Sequence, residues 1–208
     1  MQTPQSKKIA LTEPKTRMAK LFFRYSAMNA GKSTALLQIA YNYEEQGQRV
    51  LLFTSAIDDR SGVGCIASRL GLQRQASVFE DTTDFLELLA SETSLACVLI
   101  DESQFLSSRQ VRQLHQLANV HNLPVICFGI RSDFQGKAFP GSAELLTLAE
   151  DIEEIKTICG CGRKATMNIR IDETGQRVHA GAQVVIGGNN RYQQVCARCF
   201  YRHAPDSA

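Results

Sequence analysis

The tetrapeptide Gly31-Lys32-Ser33-Thr34 constrains the fold more than any other feature of this chain. It follows an apolar run, Lys20-Leu21-Phe22-Phe23-Arg24-Tyr25, that predicts a strand. It precedes Ala35, Leu36, Leu37, Ile39, Ala40 and Tyr43, whose spacing predicts a helix that Gly47 stops. A strand, a glycine turn with lysine and a hydroxyl, then a helix is the layout of a phosphate-binding loop. Backbone N–H groups converge on phosphate at the helix start, the lysine neutralises charge, and the hydroxyl can hold Mg²⁺. The strict pattern has a first glycine where this chain has Ser26, a small residue that can replace it if its φ is negative. Met28 stands in the middle of the stretch, where phosphate has no use for a thioether.

A phosphate loop needs an acid on a neighbouring strand end. Cys97-Val98-Leu99-Ile100-Asp101 is a short apolar strand ending in that acid, and Glu102 follows one residue on, placed as a general base. Taken alone, such a pair is also an ordinary solvated strand end. Further strands are expected at Arg49–Thr54 and Pro124–Phe128, and helices at Thr82–Leu89 and 108–120. Strands apolar on both faces and alternating with helices predict an α/β fold with a parallel sheet covered on both sides. Asp58 and Arg60 lie in the loop after the second strand, where loops converge on the ligand crevice. They can assist metal and phosphate there, or form a surface ion pair.

The character of the chain changes near residue 156, so a domain boundary is placed near Glu154. The expected division is a polar, disordered leader over 1–17, a nucleotide-binding domain over 18–154 and a small lobe over 155–208, with Met18 as the natural start. Cys159, Cys161, Cys196 and Cys199 form two tight pairs that offer four thiolates, the ligand set of a structural zinc. Redox pairing is the alternative. His203 near the second pair reads as solvated, and Cys97 and Cys127 as small core residues. Basic and acidic residues nearly balance, 23 against 21, which gives no pull toward nucleic acid or an anionic membrane. The N-terminus lacks the apolar segment of a secretory signal, and no run approaches the roughly 18 apolar residues of a membrane span. The cytoplasm is the expected compartment.

With these motifs in place, the chain resembles the type II thymidine kinases, especially enterobacterial members. The resemblance rests on Tyr25–Thr34, Ile100-Asp-Glu-Ser-Gln-Phe105, Asp133-Phe-Gln-Gly-Lys-Ala-Phe139, Val185-Ile-Gly-Gly188 with Tyr192, and the two cysteine knuckles. It implies a RecA-like phosphate-loop fold with a zinc-binding lasso, and transfer of the γ-phosphoryl group of ATP to the 5′-hydroxyl of thymidine. By the same resemblance, Ser26, Ala27, Met28, Asn29, Ala30, Gly31, Lys32, Ser33 and Thr34 form the phosphate site, with Arg60, Asp101, Glu102, Ser103 and Gln104. Ser33, Asp101 and Asp58 serve Mg²⁺, and Glu102 takes the hydroxyl proton. Met28, Phe105, Ile130, Phe134, Phe139, Val185, Ile186, Gly187 and Tyr192 form the nucleoside pocket. The lasso is expected over Asn168–Tyr192, reading the base mainly through backbone near Val185 and Gly187. A homotetramer inhibited by dTTP is also implied. Two further readings stay open on the residues alone: a nucleic-acid-stimulated ATPase, with Arg163, Lys164 and Arg170 as a basic lobe, and a zinc-stabilised nucleotide-binding adaptor without chemistry.

Overall fold

A computed structural model of the 208-residue chain describes residues 18–58, 62–92, 94–185 and 191–202. The expected leader over 1–17, Arg60, Ile186, Gly187 and His203 lie outside the described residues. The chain begins with β1 (Leu21–Ser26), α1 (Lys32–Glu45) and β2 (Arg49–Ser55). A small antiparallel hairpin follows, β3 (Cys65–Ala67) with β4 (Gln73–Gln75), and then β5 (Ser77–Phe79) and α2 (Phe85–Leu89). Next come β6 (Leu95–Ile100), a 3-10 turn at Ser103–Phe105, α3 (Ser108–Asn119), β7 (Val125–Ile130), α4 (Pro140–Leu148) and β8 (Asp151–Glu154).

Six of these strands make one sheet in the order β5-β2-β6-β7-β1-β8, and every pairing is parallel. Because side chains alternate across a strand, each central strand feeds two cores. Phe23, Phe53, Val98, Ile100, Val125 and Cys127 face Phe85, Val111, Leu114, Leu117 and Leu145 from α2, α3 and α4. Val50, Leu52, Cys97, Leu99 and Phe128 face Leu36, Leu37 and Ala40 of α1, with Ile66 of β3. Each fully buried Leu or Phe is worth roughly 1.5–3 kcal/mol of apolar transfer, so both layers are strongly driven. The start of α3 is fixed by a reciprocal cap. Ser107 Oγ accepts from the Gln110 amide at 3.3 Å, and Gln110 Oε1 accepts from the Ser107 amide at 2.9 Å.

The edge strand β8 is not anticipated by hydrophobic pattern. Its sequence is Asp-Ile-Glu-Glu, and its charges are matched by Arg24 of β1, 2.6 Å from Asp151 and 3.1 Å from Glu153. Charged side chains on an edge also discourage pairing with another sheet.

The remaining residues build a lobe of short strands. β9 (Thr157–Ile158) and β10 (Lys164–Ala165) form one antiparallel pair. β11 (Met167–Ile171) lies between β12 (Arg177–Val178) and β13 (Tyr192–Val195), antiparallel to both, and α5 (Ala197–Arg202) closes the described chain. Its small core contains Cys159, Ala165, Ile169, Val195, Cys196 and Phe200, and also Ala27 from the loop after β1.

Candidate active site

The strand order places β7 between β1 and β6, so the loop after β1 and the acids after β6 face each other across the end of β7. A cleft of about 720 Å³ opens there, at the carboxyl ends of the strands. Its wall includes the loop from Met28 to Thr34, Asp58, Asp101 and Glu102. Phe105, Ile130, Phe134, Phe139, Val185 and Tyr192 line it as well, so one cavity joins the two sets predicted from sequence. Ser26, Ala27 and Ser103 are not on this wall; they are buried beneath it.

Gly31 has φ 83° and nothing within 4 Å of where a Cβ would sit, so its glycine is demanded by backbone angle and not by space. Asn29 is also left-handed, at φ 61°, whereas Ser26 is not among the positive-φ residues. Ser26 has a second use. Its Oγ accepts from Lys32 Nζ at 3.1 Å, and the Ala27 carbonyl accepts from the same ammonium at 3.2 Å. The lysine is thereby kept at the loop, 9% exposed.

Ser33 Oγ, on the first turn of α1, donates to Asp101 Oδ2 at 2.8 Å. This contact ties the helix start to the end of β6 and puts a hydroxyl and a carboxylate side by side, the pair that holds Mg²⁺ in phosphate-loop enzymes. Burial pushes the Asp101 carboxyl up to about 7, with the neighbouring Glu102 carboxylate acting in the same direction. A divalent cation beside it would reverse that logic and hold it ionised.

Glu102 adopts φ 51° and ψ 37°, a left-handed conformation that costs an ordinary residue roughly 1–2 kcal/mol. Its carboxylate accepts from Gln104 Nε2 at 2.5 Å. Gln104 is 2% exposed, and its Oε1 accepts from the Ile130 amide at 3.1 Å. The strained glutamate is thus braced through Gln104 against the end of β7. Space for the brace comes from glycine: a Cβ on Gly129 would lie 2.6 Å from Ser103 Oγ and 2.8 Å from Gln104 Oε1.

Among the aromatic lining residues, the Phe105 and Phe139 rings meet edge to face at 5.9 Å. The Arg170 guanidinium lies 3.8 Å from the centroid of the Phe134 ring. Arg170 is 6% exposed and donates to the Ala180 and Ala182 carbonyls, so it pins the segment that leads to Val185. Gln183 Nε2 donates to Asp133 Oδ2 at 3.0 Å, and Asp133 Oδ1 accepts from the Gln135 and Lys137 amides. Asp133, Gln183, Arg170 and Asn168 were not singled out as site residues from sequence. The Asp133–Phe139 motif was the available signal for the first, and polar side chains in a glycine-rich lobe gave none for the others.

The four paired cysteines come together. Their sulfurs all lie within 4.8 Å of one another, with 3.5 Å from Cys161 to Cys159 and 3.6 Å from Cys161 to Cys196. Four thiolates about 2.3 Å from a central zinc would stand roughly 3.8 Å apart, so the set fits a tetrahedral ion. Backbone N–H groups, first that of Cys161, draw the Cys159 thiol down to about 6. Neighbouring sulfurs push Cys199 up to about 12, a conflict that a shared cation removes. Two of the three basic residues named for the lobe are engaged within the protein. Arg170 is buried over Phe134, and Lys164 pairs with Glu154 at 2.5 Å.

The thymidine kinase family model matches residues 19–200. A thymidine kinase of Chromobacterium violaceum is 63% identical over 184 residues, covering 88% of this chain and 99% of that protein. The thymidine kinase of Albidiferax ferrireducens is 57% identical, covering 88% and 93%. That of Yersinia pseudotuberculosis is 53% identical over 194 residues, covering 92% and 98%. Matched across nearly its whole described length, the chain belongs to the thymidine kinase family.

Proposed function

We propose that this chain moves the γ-phosphoryl group of ATP to the 5′-hydroxyl of thymidine, giving ADP and dTMP. The observation that carries the reading is that one cleft is lined by the phosphate loop, by Asp101 and Glu102, and by the aromatic side chains Phe105, Phe134 and Phe139. In that arrangement the N–H groups from Asn29 to Ser33 and the Lys32 ammonium receive the triphosphate. Ser33 and Asp101, with Asp58 beside them on the wall, would hold Mg²⁺, which neutralises charge on the transferring group. Glu102 accepts the proton of the attacking hydroxyl, and Gln104 fixes its direction. Phe105, Phe134, Phe139, Ile130 and Met28 enclose the base, and Val185 and Tyr192 close the cavity from the lobe. Arg60, Ile186 and Gly187 join this account by family resemblance alone. The transition state is loose and the protein performs little covalent chemistry, so positioning and charge stabilisation carry most of the rate.

The cysteine set fits zinc, whose role here is to hold the strand ends of the lobe together. Inhibition by dTTP, a homotetramer and a cytoplasmic location belong to the same reading; among the described residues no helix is long and apolar enough to cross a membrane. Incubation of purified protein with ATP, Mg²⁺ and a panel of nucleosides tests the proposal. Thymidine 5′-monophosphate is the expected product. ATP hydrolysis stimulated by DNA, without nucleoside phosphorylation, would establish the rival ATPase reading instead.

A further inference from the structure

The tip of the phosphate loop is held from outside itself. Three consecutive residues each contact the cysteine lobe through a different interaction. Ala27 is 3% exposed and packs in the lobe's core with Cys159, Ile169, Val195 and Phe200. The Met28 amide donates to Asn168 Oδ1 of β11 at 2.8 Å. Asn29 Nδ2 donates to Gln194 Oε1 of β13 at 3.0 Å. β11 and β13 are paired directly, with Asn168 opposite Gln194 in the register, so both acceptors leave one rigid rung. Asn168 is itself 3% exposed and anchored on its other side, its Nδ2 donating to the Ser132 carbonyl at 3.4 Å.

The loop gains something specific from this. Asn29 holds φ 61°, a conformation that an ordinary residue occupies at a cost and keeps only when its surroundings impose it. The Gln194 contact is made by the side chain of that residue. The Asn168 contact orients the Ala27–Met28 peptide, one residue earlier. A phosphate site made of backbone N–H groups is only as good as the angles that aim them.

We propose that Asn168 and Gln194 are positioning residues for nucleotide binding: the cysteine lobe sets the phosphate loop's shape as well as closing over the nucleoside. This deepens the reading of the loop as the ATP phosphate site and rests on it. The lobe then has two outputs, one to each substrate, and disturbing the β11–β13 rung affects the nucleotide even when no nucleoside is present.

The test is equilibrium binding of Mg·ADP by calorimetry, without thymidine, on the full chain. Gln194→Leu removes the acceptor and Gln194→Glu keeps it at nearly the same shape. Asn168→Leu removes the buried partner of the Met28 amide. A part-buried backbone amide left facing a buried leucine should weaken Mg·ADP by about tenfold in Asn168→Leu, and loss of the side-chain contact by about threefold in Gln194→Leu. Gln194→Glu should stay within about twofold of the wild type. Metal content and melting temperature show whether each variant is folded. If Asn168→Leu does not fold, the half-exposed Gln194 pair decides the matter. Folded leucine variants that bind Mg·ADP as tightly as wild type overturn the proposal. Wild-type protein that fails to bind Mg·ADP overturns instead the phosphate-site reading beneath it.

Discussion

Gly129→Ala tests the brace on Glu102 without touching a charged or cleft-lining residue. Gly129 is in β7 with an ordinary backbone angle, so the substitution acts through space alone. The added methyl would stand 2.6 Å from Ser103 Oγ, 2.8 Å from Gln104 Oε1 and 3.1 Å from the Gln104 amide nitrogen. Ser103 Oγ can rotate away, since it is buried with no hydrogen-bond partner among the described residues. Gln104 cannot. Its Oε1 is bound to the Ile130 amide and its Nε2 to Glu102, so relieving the clash moves the 3-10 turn by roughly half an ångström or more. Overpacking of this kind costs about 1–3 kcal/mol, which lowers the melting temperature by roughly 4–8 °C for about 2 kcal/mol in a chain of this size. The catalytic effect should be about as large in free energy as the stability effect. A shift of about 1 Å in a reacting group costs about 10²-fold, so kcat should fall 10- to 100-fold, with KM for ATP unchanged within twofold. Steady-state kinetics with labelled thymidine and a thermal melt supply both numbers. A clear drop in melting temperature with wild-type kcat would refute the idea that Gln104 positions Glu102.

Other expectations concern single groups. Glu102→Gln should lower turnover by about 10²-fold or more while Mg·ADP binding by calorimetry stays near wild type; unchanged turnover would remove Glu102 from the chemistry. Met28→Ala should raise KM for thymidine several-fold with KM for ATP little changed, since Met28 lines the cleft and the substitution keeps the amide that donates to Asn168. Gly141→Ala places a methyl 2.4 Å from the Leu106 carbonyl and 2.9 Å from that of Ser103, both backbone, and should destabilise by about 2–3 kcal/mol in a denaturant melt. Metal analysis should find one zinc per chain, and Cys161→Ser should lose it together with the thermal stability of the lobe.

The strand β1, the glycine turn and the helix α1 were legible because each carries its own signal: apolar run, Gly31-Lys32-Ser33, helical spacing. β6 with Asp101 was equally plain, since a strand buried on both faces reads as continuous apolar sequence. The four cysteines declared themselves by spacing. What was not legible has a common cause, the absence of an apolar pattern. β4 is Gln-Arg-Gln and wholly exposed, and β8 depends on Arg24 rather than on burial. α4 begins at Pro140, a good first helical residue, but its remaining sequence lacks a polar face to reveal the period. α2 was expected from Thr82 and begins at Phe85, because Asp84 caps it by accepting from the Leu86 and Glu87 amides. At the site, residues that touch substrate in the proposed reading were legible through motifs. Those that position them, Gln194, Arg170 and Gln183, were not, because their partners lie far away in sequence and only the fold brings them together.

In the proposed reaction one cavity holds a triphosphate and a nucleoside, with Glu102 poised between them. The most direct measurement follows the label from [γ-³²P]ATP in the presence of thymidine and, separately, of 5′-deoxythymidine. Label is expected in thymidine 5′-monophosphate, equal to the ADP formed; the deoxy analogue should compete with thymidine and release no labelled phosphate above background. Label appearing as inorganic phosphate, or no label on thymidine while ADP accumulates, would contradict it.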